Sequence, residues 1–330
     1  MIYPQCYTGA MVPFISADGF LQPCCQVGTN YRKERQWDDE WIPNPFIDPR
    51  HSLHNHSFSE IVESKHWNSM ISKLRTARYD SCVYNCSKKD PSFNSATGAT
   101  DKWSDKRILT KDMNTIQLET TNRCNLECPY CARMLFKTRK GNGLQVELGG
   151  KVDDPKWLNS YDIPVSILKD VFSYKHWFAV VDCGTHGDPI FYKYYHEMLE
   201  MMSGMMIDNY RASIAATGRP QKWWDQTHEL WKGLNDAGIA VIPFWGVDGI
   251  ETSHHHRIGQ DWNEITIQMK IAAKNGIKGF WQYIPMSFNE HQIEDAKKLA
   301  EDWGVEFYLK PSERFKKNDP NRPTELYLQR

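Results

Sequence analysis

The sequence predicts an α/β protein, a partial (βα)6 barrel preceded by a small, irregular, cysteine-rich domain. Three observations predict it. From about Thr115 onward, short β-branched or aromatic runs alternate with longer segments of helical period, which is the pattern of repeated βα units around a parallel sheet. The residues before that point lack the alternation, being broken by Gly19, Pro23, Pro43, Pro45 and Pro49 and rich in polar residues, histidine and tryptophan. The cysteines are grouped: Cys6, Cys24, Cys25, Cys82 and Cys86 early, Cys124, Cys128 and Cys131 together, and Cys183 alone.

In chain order, the N-terminal segment has little apolar core of its own. A metal cluster would offset that shortage, because binding at a site absent from the unfolded chain becomes folding free energy. Six strands follow, expected over 115–119, 177–183, 210–215, 239–245, 277–284 and 305–309, with helices between them and right-handed crossovers curling the sheet. For the last helix, Asn289 and Gln292 have the spacing of a capping box. Ile293, Ala296, Ala300 and Trp303 form its apolar stripe, and Gly304 ends it. The domains are therefore 1–105, 106–310 and a polar tail, 311–330, expected to be loose or to fold over a site.

Composition narrows the function classes. With 40 basic and 41 acidic residues the net charge is -1, so nothing points to a nucleic-acid backbone or an anionic membrane. No window reaches the roughly 18 apolar residues of a membrane span, and Met1-Ile2-Tyr3-Pro4 does not open a secretory signal. A cytoplasmic protein is expected. In a reducing compartment its nine cysteines serve metals or catalysis rather than disulfides.

The stretch from Ile116 to Cys131 runs from a strand straight into Cys124-x3-Cys128-x2-Cys131, with Tyr130 before the last thiol. Three thiolates hold three of the four irons of a cubane cluster and leave one iron open to an exogenous ligand. A structural zinc site would need a fourth ligand, and the closest histidine, His176, is far away in sequence.

This triplet, placed after the first strand of a βα series, resembles the radical S-adenosylmethionine (SAM) superfamily over 106–310. The resemblance implies a TIM-like partial barrel and a [4Fe-4S] cluster on Cys124, Cys128 and Cys131. It further implies SAM chelated at the open iron and cleaved reductively to a 5'-deoxyadenosyl radical, and an electron donor such as flavodoxin or ferredoxin. Reactive groups in such barrels gather at the C-terminal ends of strands. Gly187-Asp188-Pro189 is similar to the family's Gly-Glu-Pro segment at the cofactor's amino group, with Asp in place of Glu. The alternative is a bland turn capped by Asp188. Thr217, in Ala216-Thr217-Gly218, resembles the family's Thr-Asn-Gly turn, and Asp248 lies where the chain approaches the cofactor's ribose. Arg257 is suited to its carboxylate, unless it is a surface arginine. His254, His255 and His256 are expected to be solvated loop residues, and Cys183 a small buried hydrophobe rather than a ligand.

Cys6, Pro23-Cys24-Cys25, Cys82 and Cys86, with the Asp18-Gly19 turn, resemble SPASM or twitch auxiliary-cluster modules. One of Cys24 and Cys25 would be spare, and zinc is the alternative metal. Such modules usually follow the barrel, whereas this one precedes it. The substrate implied is a peptide or protein side chain; a nucleoside, sugar or small metabolite is the second possibility. A metal-binding or electron-transfer protein without radical chemistry is the reading from another class. Aromatic richness is assigned to core rather than to stacking on bases.

Overall fold

A computed structural model describes residues 12–23, 45–73, 113–129, 131, 161–184, 187–312, 315 and 318–327. The N-terminal part contributes β1 (Phe14–Ile15), β2 (Leu21–Gln22), α1 (Phe58–Glu63) and α2 (Lys65–Lys73). The alternating part then gives β3 (Thr115–Leu118), α3 (Val165–Ser173), β4 (Trp177–Asp182), α4 (Tyr195–Met202) and β5 (Ile207–Ile214). It ends with α5 (Gln221–Asp236), β6 (Ala240–Gly246), α6 (Trp262–Lys274), β7 (Phe280–Tyr283), α7 (Ile293–Asp302) and β8 (Glu306–Leu309). All six expected strands are present, their ends displaced by a few residues.

The strands form one sheet in the order β2-β1-β3-β4-β5-β6-β7-β8. Every neighbouring pair is parallel except β1 with β2. The register sets Val180 beside Tyr210 and Tyr210 beside Val241, all buried in one core with the apolar stripes of the helices. Helix α5 buries Trp224, Thr227, His228, Trp231 and Leu234, a spacing of three and four that makes one face. Trp231 then meets the β6 residue Trp245 with ring centroids 5.9 Å apart. Among the described residues, no helix is long and apolar enough to cross a membrane.

Two strands precede Thr115 where none was expected. A tight turn joins them: Gly19 has φ 82°, a left-handed conformation that favours glycine, and its N–H donates to Ser16 O at 2.8 Å. The apolar residues that follow are buried in the same core as the parallel strands, including Phe46, Phe58, Trp67 and Met70 beside Ile116 and Leu118. That common burial is where this segment's sparse apolar surface goes. Ser57 and Glu60 form a capping box on α1, and Asp170 of α3 accepts the Phe58 N–H at 2.7 Å.

One local expectation is corrected. Asn289 is buried and caps nothing with its side chain; Nδ2 donates to Asp248 O and Ile284 O, while Oδ1 accepts from Met286 N. Gln292 Oε1 is taken by Ile250 N at 3.0 Å, so the two residues tie loops together instead of forming a box on α7. Described residues of the C-terminal segment pack against the loop after β7. Phe315 packs with Ile284, Met286 and Phe288, and Thr324 N donates to Glu290 Oε2 at 2.8 Å.

Candidate functional site

Strands β3, β4, β5 and β6 lie side by side, so their C-terminal ends bring four loops together. The loop after β3 carries Cys124, Cys128 and Cys131, all half-buried and none in a disulfide. Three hydrogen bonds fasten it to the other loops. Asp188 N donates to Arg123 O at 2.8 Å, Asn125 Nδ2 to Thr217 O at 2.7 Å, and Glu127 N to Ile258 O at 2.9 Å. Within the loop, Leu126 N–H donates to Cys124 Sγ at 3.4 Å. Among the described residues no group of three or more His, Cys, Asp or Glu is gathered as a metal shell.

Gly187 stands against this loop so closely that a Cβ on it would lie 2.0 Å from Thr121 O. Only glycine permits that approach. Asp188 is buried: Oδ1 accepts from Ile190 N, capping the short helix Pro189–Phe191, and Oδ2 accepts from Ala215 N at 2.7 Å and Ala216 N at 2.8 Å. Its side chain thus fastens the end of β4 to the end of β5. Burial pushes the carboxyl above its ordinary pKa, and the three main-chain N–H groups and the Arg257 charge offset this only partly. Thr217 is also buried and accepts the Asp261 N–H on Oγ1 at 3.0 Å, at the N-cap of α6.

After β6 the chain turns back on itself. Asp248 is buried, with Oδ2 accepting from His256 Nδ1 at 2.8 Å and paired with Arg257 Nε at 2.8 Å, while Oδ1 accepts from Ile284 N at 2.9 Å. Burial works to raise this carboxyl, but the Arg257 charge and the His256 hydrogen bond outweigh it and hold it at about 2. Arg257 is no surface residue, its side chain being 13% exposed. Burial disfavours its charge, and the neighbouring Asp248, Cys128 and Asp188 more than compensate. His256 is 1% exposed, which corrects the expectation of three solvated histidines; His254 and His255 are the exposed pair.

Of the expected site residues, the described cysteines, Gly187, Asp188, Pro189, Thr217, Asp248 and Arg257 all lie on these four loops. Tyr130, Cys6, Cys24, Cys25, Cys82 and Cys86 lie outside the described residues. Sequence reasoning missed Asn125, which binds the thiol loop to β5. It also missed Gln260, whose Nε2 donates to Ala215 O at 2.5 Å and Gly246 O at 2.9 Å. Neither carries a local signal, since each acts across loops distant in sequence. Cys183 donates from Sγ to Leu118 O at 3.2 Å and is half-buried.

No protein-family model matches the sequence, and no curated protein does either. Among solved structures, Streptococcus suis SuiB bound to S-adenosylmethionine is similar, at 10% identity and TM-score 0.38, over 60% of this chain and 38% of that one. A second structure of SuiB gives 10% identity and TM-score 0.42 over 93% of this chain and 63% of that one. Native anSMEcpe with bound AdoMet and Cp18Cys peptide gives 15% identity and TM-score 0.40 over 62% and 54%. The chain spans less than two thirds of the length of each. Likenesses of this size leave the assignment to the chain's own residues.

Proposed function

We propose that the chain is a radical SAM enzyme whose Cys124, Cys128 and Cys131 hold a [4Fe-4S] cluster. The observation that carries the reading is the loop of three cysteines outside any disulfide at the C-terminal edge of a parallel sheet, hydrogen-bonded to the three loops that carry the other candidates. The donor set fits: thiolates are the ligands such clusters take, an N–H already points at Cys124 Sγ, and the Arg257 charge beside Cys128 favours a thiolate there. When bound, the cluster supplies the electron that splits SAM into methionine and a 5'-deoxyadenosyl radical, which takes a hydrogen atom from the substrate.

The chain's own groups bind and orient. Arg257 offers its guanidinium to the carboxylate of SAM, and Gly187 lets main chain approach where a side chain would block it. Asp188 holds the ends of β4 and β5 together beneath that approach. The sheet is read as a partial TIM-like barrel. Residues 1–105 are read as an auxiliary cluster module on Cys6, Cys24 or Cys25, Cys82 and Cys86. A peptide or protein side chain is the proposed substrate, and a flavodoxin or ferredoxin the proposed reductant, in each case by analogy of class.

Anaerobic reconstitution with iron and sulfide, iron counting, and assay of 5'-deoxyadenosine with reductant and SAM test the proposal. About eight irons per chain, and deoxyadenosine lost in Cys124→Ala, are expected. About four irons would remove the auxiliary cluster from the reading. Zinc without iron, and no deoxyadenosine, would overturn the radical chemistry.

A further inference from the structure

Asp248 was expected beside the cofactor's ribose, but its surroundings give it another task. The residue is 0% exposed; His256 Nδ1 and Ile284 N donate to its carboxylate, and the Arg257 guanidinium is ion-paired with it through Nε at 2.8 Å. A carboxylate so enclosed offers no open surface to a ligand hydroxyl. What it does instead is hold one edge of a guanidinium.

The local chain is built for that grip. A short helix, Ser253–His255, brings consecutive side chains onto the same carboxylate oxygen, with Arg257 N donating to Ser253 O at 2.7 Å. Ser253 Oγ accepts the Asp248 N–H at 2.8 Å and donates to Gln260 Oε1, so both ends of the turn are pinned. The guanidinium then lies along Gly246, where a Cβ would stand 2.9 Å from Nη2 and displace it. With Nε fixed by Asp248, the remaining N–H groups of the fork are the ones available to a planar anion.

We propose that Asp248 and His256 are positioning residues, which lock Arg257 so that its outer edge receives the carboxylate of S-adenosylmethionine beside Cys128. The proposal rests on the radical SAM reading and sharpens it. Asp248 acts through Arg257 and does not touch the cofactor. His256 acts one step further out, orienting the carboxylate that orients the arginine.

The test is a pair of binding measurements on the reconstituted full-length chain, using SAM and, as a ligand with the ribose and base but no carboxylate, 5'-deoxyadenosine. Asp248→Asn is expected to weaken SAM by about tenfold, the loss of the ion pair that aims the guanidinium, and to leave 5'-deoxyadenosine within about twofold. His256→Gln, the milder variant, gives a smaller loss with the same selectivity and serves if Asp248→Asn fails to fold. In an Arg257→Lys background, Asp248→Asn adds almost nothing, because its effect passes through the guanidinium. Equal losses for both ligands would make Asp248 a ribose contact and overturn the proposal. Additive losses in the double variant, or no loss of SAM binding in either single variant, would do the same. Failure of the unaltered protein to bind SAM would instead remove the radical SAM reading, and the proposal with it.

Discussion

The loops after β4 and β6 each bury an aspartate, and they satisfy it with different donors. Asp188 is surrounded by main-chain N–H groups, which are dipoles; Asp248 sits on Arg257 and His256, which can bring charge. The consequence appears in the two carboxyls: burial wins at Asp188 and raises it, whereas the cation wins at Asp248 and depresses it. Dipoles of the backbone suit a fastening that must stay in place. A charge pair suits a residue whose partner must be aimed.

Removal of either carboxylate breaks this comparison open. Asp248→Ala leaves a guanidinium buried without its counter-charge and is expected to cost roughly 3–5 kcal/mol in urea unfolding at pH 7. Gly187→Ala forces a methyl group into Thr121 O and is expected to cost about 3 kcal/mol, read as a fall in Tm. Asp188→Ala strands main-chain N–H groups rather than a charge, and about 2 kcal/mol is expected. If Asp188→Ala proves more damaging than Asp248→Ala, the distinction between fastening and aiming is wrong.

The pH dependence sharpens the same contrast. The Asp248 contribution is present above the ordinary carboxylate range and is lost as pH falls toward about 2. Asp182 behaves oppositely: burial pushes its carboxyl up to about 7, against hydrogen bonds from Thr120. Its stabilising protonated form is fully present below the ordinary carboxylate range and lost as pH rises through about 7. Unfolding free energies should therefore decline by roughly 1 kcal/mol per pH unit across that window. Asp182→Asn is expected to flatten the decline, and an unchanged slope would assign it to another group.

The six parallel strands were legible because a strand buried by helices must be apolar and short, and Trp177 to Asp182 or Ala240 to Gly246 can be little else. The β1–β2 hairpin was missed because its strands have two residues each, too few for periodicity. The Asp18-Gly19 pair between apolar residues was its one signal, and that pair is the usual mark of a tight hairpin turn. At the site, residue types pointed to the right loops, since thiols, Gly187 and Arg257 have few other reasons to stand there. Partnerships were not legible. Whether Asp188 faces a ligand or Ala215 N, and whether His256 faces water or Asp248, depends on contacts between distant segments that no local pattern encodes.

The place of β1 in the sheet has a kinetic consequence. Strands β3 to β7 each pair with the next described strand, so the parallel array can grow by successive additions. Strand β1, besides its hairpin partner β2, pairs with β3 across a long intervening stretch that includes α1 and α2. On a ribosome the hairpin emerges well before the edge that receives it, and it closes a large loop when that edge is made. A strand made early is thus secured late, and until then β3 presents a bare sheet edge to other nascent chains.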